Sequence, residues 1–136
     1  MKLEMIIEKA GGKDFSGRIV NKGHFMPNTI APDIDTIIKN IKDLIEDYQQ
    51  HGGDKDPFWK RVKTDELDFT FRYDMQSFFM KHDYLNITNV AKLAGLNPGL
   101  VRQYASGVKH PRKPQADKIA KTVRGLAKQL EKVELV

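Results

Sequence analysis

A chain of 136 residues, 40% hydrophobic and 30% charged, can build one or two small globular domains. It has no run near the ~18 apolar residues of a membrane span and no signal-peptide pattern at its start, so a cytoplasmic protein without membrane contact is expected. The absence of cysteine excludes disulfides and cysteine-ligated metal sites, and the net charge of +5 is uneven, −1 over residues 1–73 and +6 over 74–136.

Residues 2–9 (KLEMIIEK) alternate Leu3, Met5 and Ile7 against Lys2, Glu4 and Glu8, with Ile6 the exception, which predicts a strand. Gly11-Gly12-Lys13-Asp14 turns the chain into a second strand over 15–20. A third is expected over 24–30, where Pro27 marks an edge or a bulge. Asp33 then caps an amphipathic helix over 34–48, with Ile34, Ile37, Ile38, Ile41, Leu44, Ile45 and Tyr48 on one face. A face this apolar packs on a sheet. The stretch 51–57 (HGGDKDP) stops the helix and forms a loop, and Phe58-Trp59 returns to the core. Residues 67–73 (LDFTFRY) form the clearest strand, with Leu67, Phe69, Phe71 and Tyr73 on one face. The order is β-β-β-α-β, an α+β unit over 1–73. Only helices follow, the next of which Asp74 can cap, so 74–136 forms a second, all-α domain.

Residues 85–107 (LNITNVAKLAGLNPGLVRQYASG) predict two short helices crossing at a sharp bend. Gly95 stands where the chain must leave the first helix with φ > 0, and Ala91, four positions earlier, is small enough for a close crossing. Val90, Ala94, Leu96, Val101 and Tyr104 are apolar where the pair must face inward. Asn97-Pro98 is a helix-start pair. Asn86 caps the first helix, with Leu85 and Val90 as a hydrophobic staple across it, and Ser106-Gly107 closes the second. Between 115 and 133 helical periodicity returns through Ala116, Ile119, Ala120, Val123, Leu126, Ala127, Leu130 and Val133. Gly125 inside that stretch suggests two helices, and the stripe forms either the core of the second domain or a dimer seam.

Glycine turns and apolar periodicity also occur in any αα-hairpin. With all five inward positions apolar and both caps present, the pair reads as a helix-turn-helix, whose second helix is expected to enter a DNA groove. On 97–106, Leu100, Val101 and Tyr104 point inward, whereas Pro98, Gly99, Arg102, Gln103 and Ser106 point out. Arg102 and Gln103 are the candidate base readers, because a guanidinium matches guanine O6/N7 and a carboxamide matches adenine N6/N7. Thr88, Asn89, Lys92, Ser106, Lys109, Arg112 and Lys113 are candidate phosphate contacts, which orient without specifying. Pro98 and Gly99 offer no polar side chain, so readout near the helix start is expected to be thin or to rest on DNA shape. One unit of this size binds weakly alone, which implies a homodimer or higher oligomer on a two-fold operator in double-stranded DNA.

The segment 85–107 resembles the Xre/Cro-type domain. The exit Gly107-Val108-Lys109-His110-Pro111, with a helix from Gln115, is that family's usual one. Preceded by the β-β-β-α-β unit, it makes the whole chain resemble the HicB antitoxin family. That resemblance implies a partial RNase H-like first domain with a toxin-facing surface, and a second domain that binds the operon's own promoter. The implied function is that of a transcriptional regulator in a type II toxin–antitoxin system, neutralising an RNA-cleaving, HicA-like toxin and repressing its own promoter. The chain departs from the family after the second strand. Many members carry an Asp-Leu-Pro-Gly-Cys-like turn there; this chain has Lys22-Gly23-His24-Phe25-Met26-Pro27.

Catalysis on an RNase H-like fold would need several carboxylates converging on divalent metals. Glu4, Glu8 and Asp14 are scattered on a hairpin, and Glu46 and Asp47 fall on the solvent side of the helix. His24, His51, His82 and His110 have no ligand spacing, and no glycine-rich phosphate loop is present. Neither enzymatic activity, metal nor cofactor is expected. Two rivals stand beside the antitoxin reading. One is a stand-alone helix-turn-helix repressor without a toxin partner, whose first domain dimerises or senses a ligand. The other is a nuclease or other enzyme built on the N-terminal fold.

Overall fold

The computed structural model describes residues 1–20 and 23–136. Among these the fold is mixed α+β, with one four-stranded sheet and five α-helices, and it divides into two units, Met1–Asp74 and Met75–Val136.

In the first unit, the Gly11-Gly12 turn joins β1 (Lys2–Lys9) to β2 (Phe15–Ile19) as an antiparallel hairpin, with Met5 opposite Ile19. The Asp14 carbonyl accepts from Ala10 N at 2.9 Å. The strand β4 (Asp68–Tyr73) runs parallel to β1 on its other side, Leu3 opposite Phe69. With β3 (Asn28–Ala31) antiparallel to β2, the sheet order is β3-β2-β1-β4. Period-2 alternation sends Leu3, Met5, Ile7, Phe15, Ile19 and Phe69 into the core. The opposite face carries the cross-strand ion pairs Arg18–Glu8 (3.2 Å) and Arg72–Glu4 (3.3 Å) around Ile6, with Ile30 exposed toward its β3 edge. The third strand is shorter than expected and begins only after Pro27. Pro27 has no N–H to donate to a ladder, but its carbonyl accepts from Ile19 N at 3.2 Å. His24 lies in a turn. Lys22, in the segment that departs from the family turn, lies outside the described residues.

Asp33 caps α1 (Ile34–Gln50), its carboxylate accepting from Thr36 N at 2.7 Å. Ile34, Ile37, Ile41 and Ile45 are buried, whereas Leu44, expected on the same face, is exposed. The helix approaches so closely that a Cβ at Gly17 would overlap the Ile37 side chain. Residues 53–66 are not plain loop but hold three short 3₁₀ turns, Gly53–Lys55, Trp59–Arg61 and Thr64–Glu66. They seat Trp59, which is fully buried, and Val62. The Gln49 carboxamide donates to the Trp59 and Val62 carbonyls, both at 2.7 Å. Asp56 accepts from Phe58 N (2.9 Å), Trp59 N (3.1 Å) and the Tyr48 hydroxyl (2.9 Å). Leu67, just before β4, is buried, and along the strand burial fades from Phe69 to Phe71, which is exposed.

The second unit comprises α2 (Met75–Lys81), α3 (Ile87–Leu93), α4 (Pro98–Ser106) and α5 (Lys113–Leu130). Phe79, Val90, Ala91, Val101, Tyr104 and Ile119 form its core, with Leu85, Leu96, Val123 and Leu126 packed against them. Contrary to the expectation of two helices, α5 is continuous through Gly125. The cost of that glycine is about 1 kcal/mol, less than even half-burying Val123 and Leu126, which flank it, at about 1.5–3 kcal/mol per full burial. It also begins earlier than Gln115, because Pro114 fits a first helical turn. Among the described residues, no helix is long and apolar enough to cross a membrane.

Candidate nucleic-acid interface

The bend between α3 and α4 is built from caps. Asn86 Oδ1 accepts from Asn89 N at 3.0 Å, and Leu85 and Val90 meet in the same core. At the exit of α3, Gly95 adopts φ 71°. Gly95 N donates to the Lys92 carbonyl (3.1 Å) and Leu96 N to the Ala91 carbonyl (2.9 Å). This paired closure is the Schellman arrangement, with Leu96 packed back on the core. Asn97 Oδ1 then accepts from Gly99 N (2.8 Å) and Leu100 N (3.3 Å), and Pro98 opens α4. Ala91 and Val101 are fully buried where the two helices cross. Gly107 closes α4 with φ 81°, and a Cβ there would run into the Gln76 side chain of α2.

With Val101 and Tyr104 buried, α4 turns Arg102 outward. Its guanidinium is exposed, and Nη1 donates to Thr88 Oγ1 at 2.9 Å. The neighbouring candidate, Gln103, is half-buried, and its backbone carbonyl accepts from Ser106 Oγ (3.1 Å) and Lys109 N (3.2 Å). Pro98 and Gly99 are half-buried at the start of the same helix. Among the phosphate candidates, Asn89, Lys92, Ser106, Lys109 and Arg112 are exposed. Two others have partners within the chain. Thr88 accepts from Arg102, and Lys113 pairs with Asp117 one turn along α5 at 3.0 Å, the usual reach of an i,i+4 pair. His82 Nδ1 lies 2.6 Å from the Tyr84 hydroxyl. Burial, helped by Lys81, lowers the His82 pKa below its ordinary value.

Sequence reasoning expected a helix after Asp74 but did not place it in this arrangement. The pair Phe78-Phe79 was the signal for its packing, and Phe79 is buried among α3 and α4 side chains. In the first unit the carboxylates stay apart. Glu4 and Glu8 each engage an arginine, and among the described residues no three His, Asp or Glu side chains gather as a metal site. Compared with known proteins, the chain matches no family model, no curated protein and no solved structure.

Proposed function

We propose that the second unit is a helix-turn-helix domain that binds double-stranded DNA through α4, and that the chain is a DNA-binding transcriptional regulator. The observation that carries this reading is the disposition of Arg102. It stands exposed on the outer face of a helix capped at both ends, and its guanidinium is steadied by Thr88 from the preceding helix. The other support is charge, since 74–136 carries +6, the sign that phosphate neutralisation requires. The resemblance of the whole chain, a β-β-β-α-β unit followed by the Xre/Cro-like segment, extends the proposal to an antitoxin of the HicB kind. In that role the first unit, with a partial RNase H-like fold, covers a HicA-like toxin, and the protein acts in the cytoplasm as a homodimer or higher oligomer.

A specific observation favours the second reading, a repressor without a toxin. In the segment that departs from the family turn, Phe25 stacks on Tyr48 (ring centroids 4.0 Å, planes 13° apart) and meets Trp59 edge-on at 5.4 Å. That residue is half-buried against the unit's own aromatic side chains. The experiment separating the readings is co-purification from the native host. A small basic protein that copurifies and is toxic when expressed alone supports the antitoxin; its absence, with DNA binding intact, leaves the repressor. For DNA binding itself, the affinity for a labelled pool of duplexes is expected to fall steeply as salt rises, since each neutralised phosphate adds about 0.9 to the log–log slope. Binding that does not respond to salt, or none at all, contradicts the proposal.

A further inference from the structure

Gly99 stands in the first turn of α4, with a helical backbone and no positive φ to call for a glycine. What marks it is its neighbour. A Cβ built there would come within 4.0 Å of Arg102 Nη2 and 3.1 Å of Asn97 Oδ1. The Arg102 side chain therefore runs back toward the start of its own helix, the way helical side chains lean. Its guanidinium ends beside the bare Cα of Gly99, one turn earlier on the same face. From α3, Thr88 Oγ1 accepts from Nη1 at 2.9 Å. The fork is thus seated between two helices, Nη1 on Thr88 and Nη2 at Gly99. The Thr88 bond uses one N–H of the fork and leaves the others for a two-bond contact with a base.

A recognition helix meets base edges with its N-terminal residues, yet Pro98 and Gly99 open α4 without a polar side chain. We infer that Gly99 is a specificity-determining position: its missing side chain leaves the space that the Arg102 guanidinium fills, so that Arg102 reads the base pair faced by the start of α4. The reading of a base rests on the proposed function; the seating of the guanidinium beside Gly99 does not. The base class follows from the chemistry of the group that occupies this space. A guanidinium there matches guanine O6/N7, and a carboxamide in its place would match adenine N6/N7. A carboxylate at the same position would instead hold the guanidinium within the protein, at the i,i+3 spacing where opposite charges meet on a helix.

Two measurements test this, the first without DNA. In an NMR titration, the carboxyl introduced by Gly99→Glu should titrate lower beside Arg102 than in combination with Arg102→Ala, because a neighbouring guanidinium favours the charged form. Equal midpoints overturn the inference. The second is selection of bound sequences from a random duplex pool. The double variant Gly99→Gln with Arg102→Ala should enrich adenine in the column where the wild type enriches guanine, roughly tenfold over Arg102→Ala alone. A new preference in a different column, or none, also overturns it. A wild type that selects no sequence while the two midpoints differ refutes the proposed function, and the specificity role with it, but leaves the seating of Arg102 standing.

Discussion

At the scale of single residues, the Thr88–Arg102 hydrogen bond carries the most chemical information. A free arginine side chain has about 2 kcal/mol of rotamer entropy to lose on fixing its fork against a base edge, and an anchor on the neighbouring helix spends part of that before DNA arrives. Under the proposed function Thr88 would position Arg102 as well as contact phosphate. Arg102→Ala should flatten the preference at one base pair, a loss of about 1–3 kcal/mol in discrimination, while Lys109→Ala should weaken all sequences alike and lower the salt slope by about 1. Thr88→Val should blur the same base pair as Arg102→Ala, and Thr88→Ser should restore it. Titrations of duplexes substituted one base pair at a time check all of these. If Thr88→Val weakens every duplex equally, Thr88 touches phosphate only. Arg102 was legible from the sequence because the apolar positions around it fix the phase of α4. The half-burial of Gln103 was not, since it depends on how the chain after Gly107 folds back to place Lys109 N on the Gln103 carbonyl.

At the scale of elements, caps and turns govern. Asn97→Ala removes the acceptor of two backbone donors at the start of α4 and should cost about 1 kcal/mol, measured by urea unfolding. Asp56 plays the corresponding part in the first unit. Its backbone bonds to Trp59 and Phe58, with the Tyr48 hydroxyl and the nearby charge of His24, hold its pKa below the ordinary carboxylate value despite some desolvation. A carboxylate depressed in the folded state stabilises it above the unfolded pKa and loses that contribution as pH falls through the folded one. The stability difference between wild type and Asp56→Asn should therefore be full at pH 6 and shrink below about pH 4; a difference constant from pH 6 to 3 contradicts this role. Helix α1, its Asp33 cap and the β1–β2 hairpin were legible because a local pattern determines each. The start of β3 and the 3₁₀ turns after Gly52 were not, since pairing with β2 and the seating of Trp59 are long-range events that no local period announces.

At the scale of the whole molecule, a nearly neutral unit, −1 over 1–73, is joined to a basic one, +6 over 74–136. This division of charge was legible from composition alone, and it matches a chain in which one unit meets phosphates and the other does not. What the first unit meets is written in no local motif. Its outer sheet face carries Arg18–Glu8 and Arg72–Glu4, exposed pairs worth little to stability, and of its aromatic cluster Trp59 alone is fully buried, with Phe25, Tyr48 and Phe58 half-buried. The central proposal is that α4 reads base edges with Arg102. The most direct test is selection of bound sequences from a random duplex pool, run in parallel with the wild type and Arg102→Ala. The wild type should enrich a two-fold site, and the variant should enrich the same site with one column of each half-site, the one expected to prefer guanine, lost. Failure of the wild type to enrich any sequence, or identical columns from the two proteins, would contradict it.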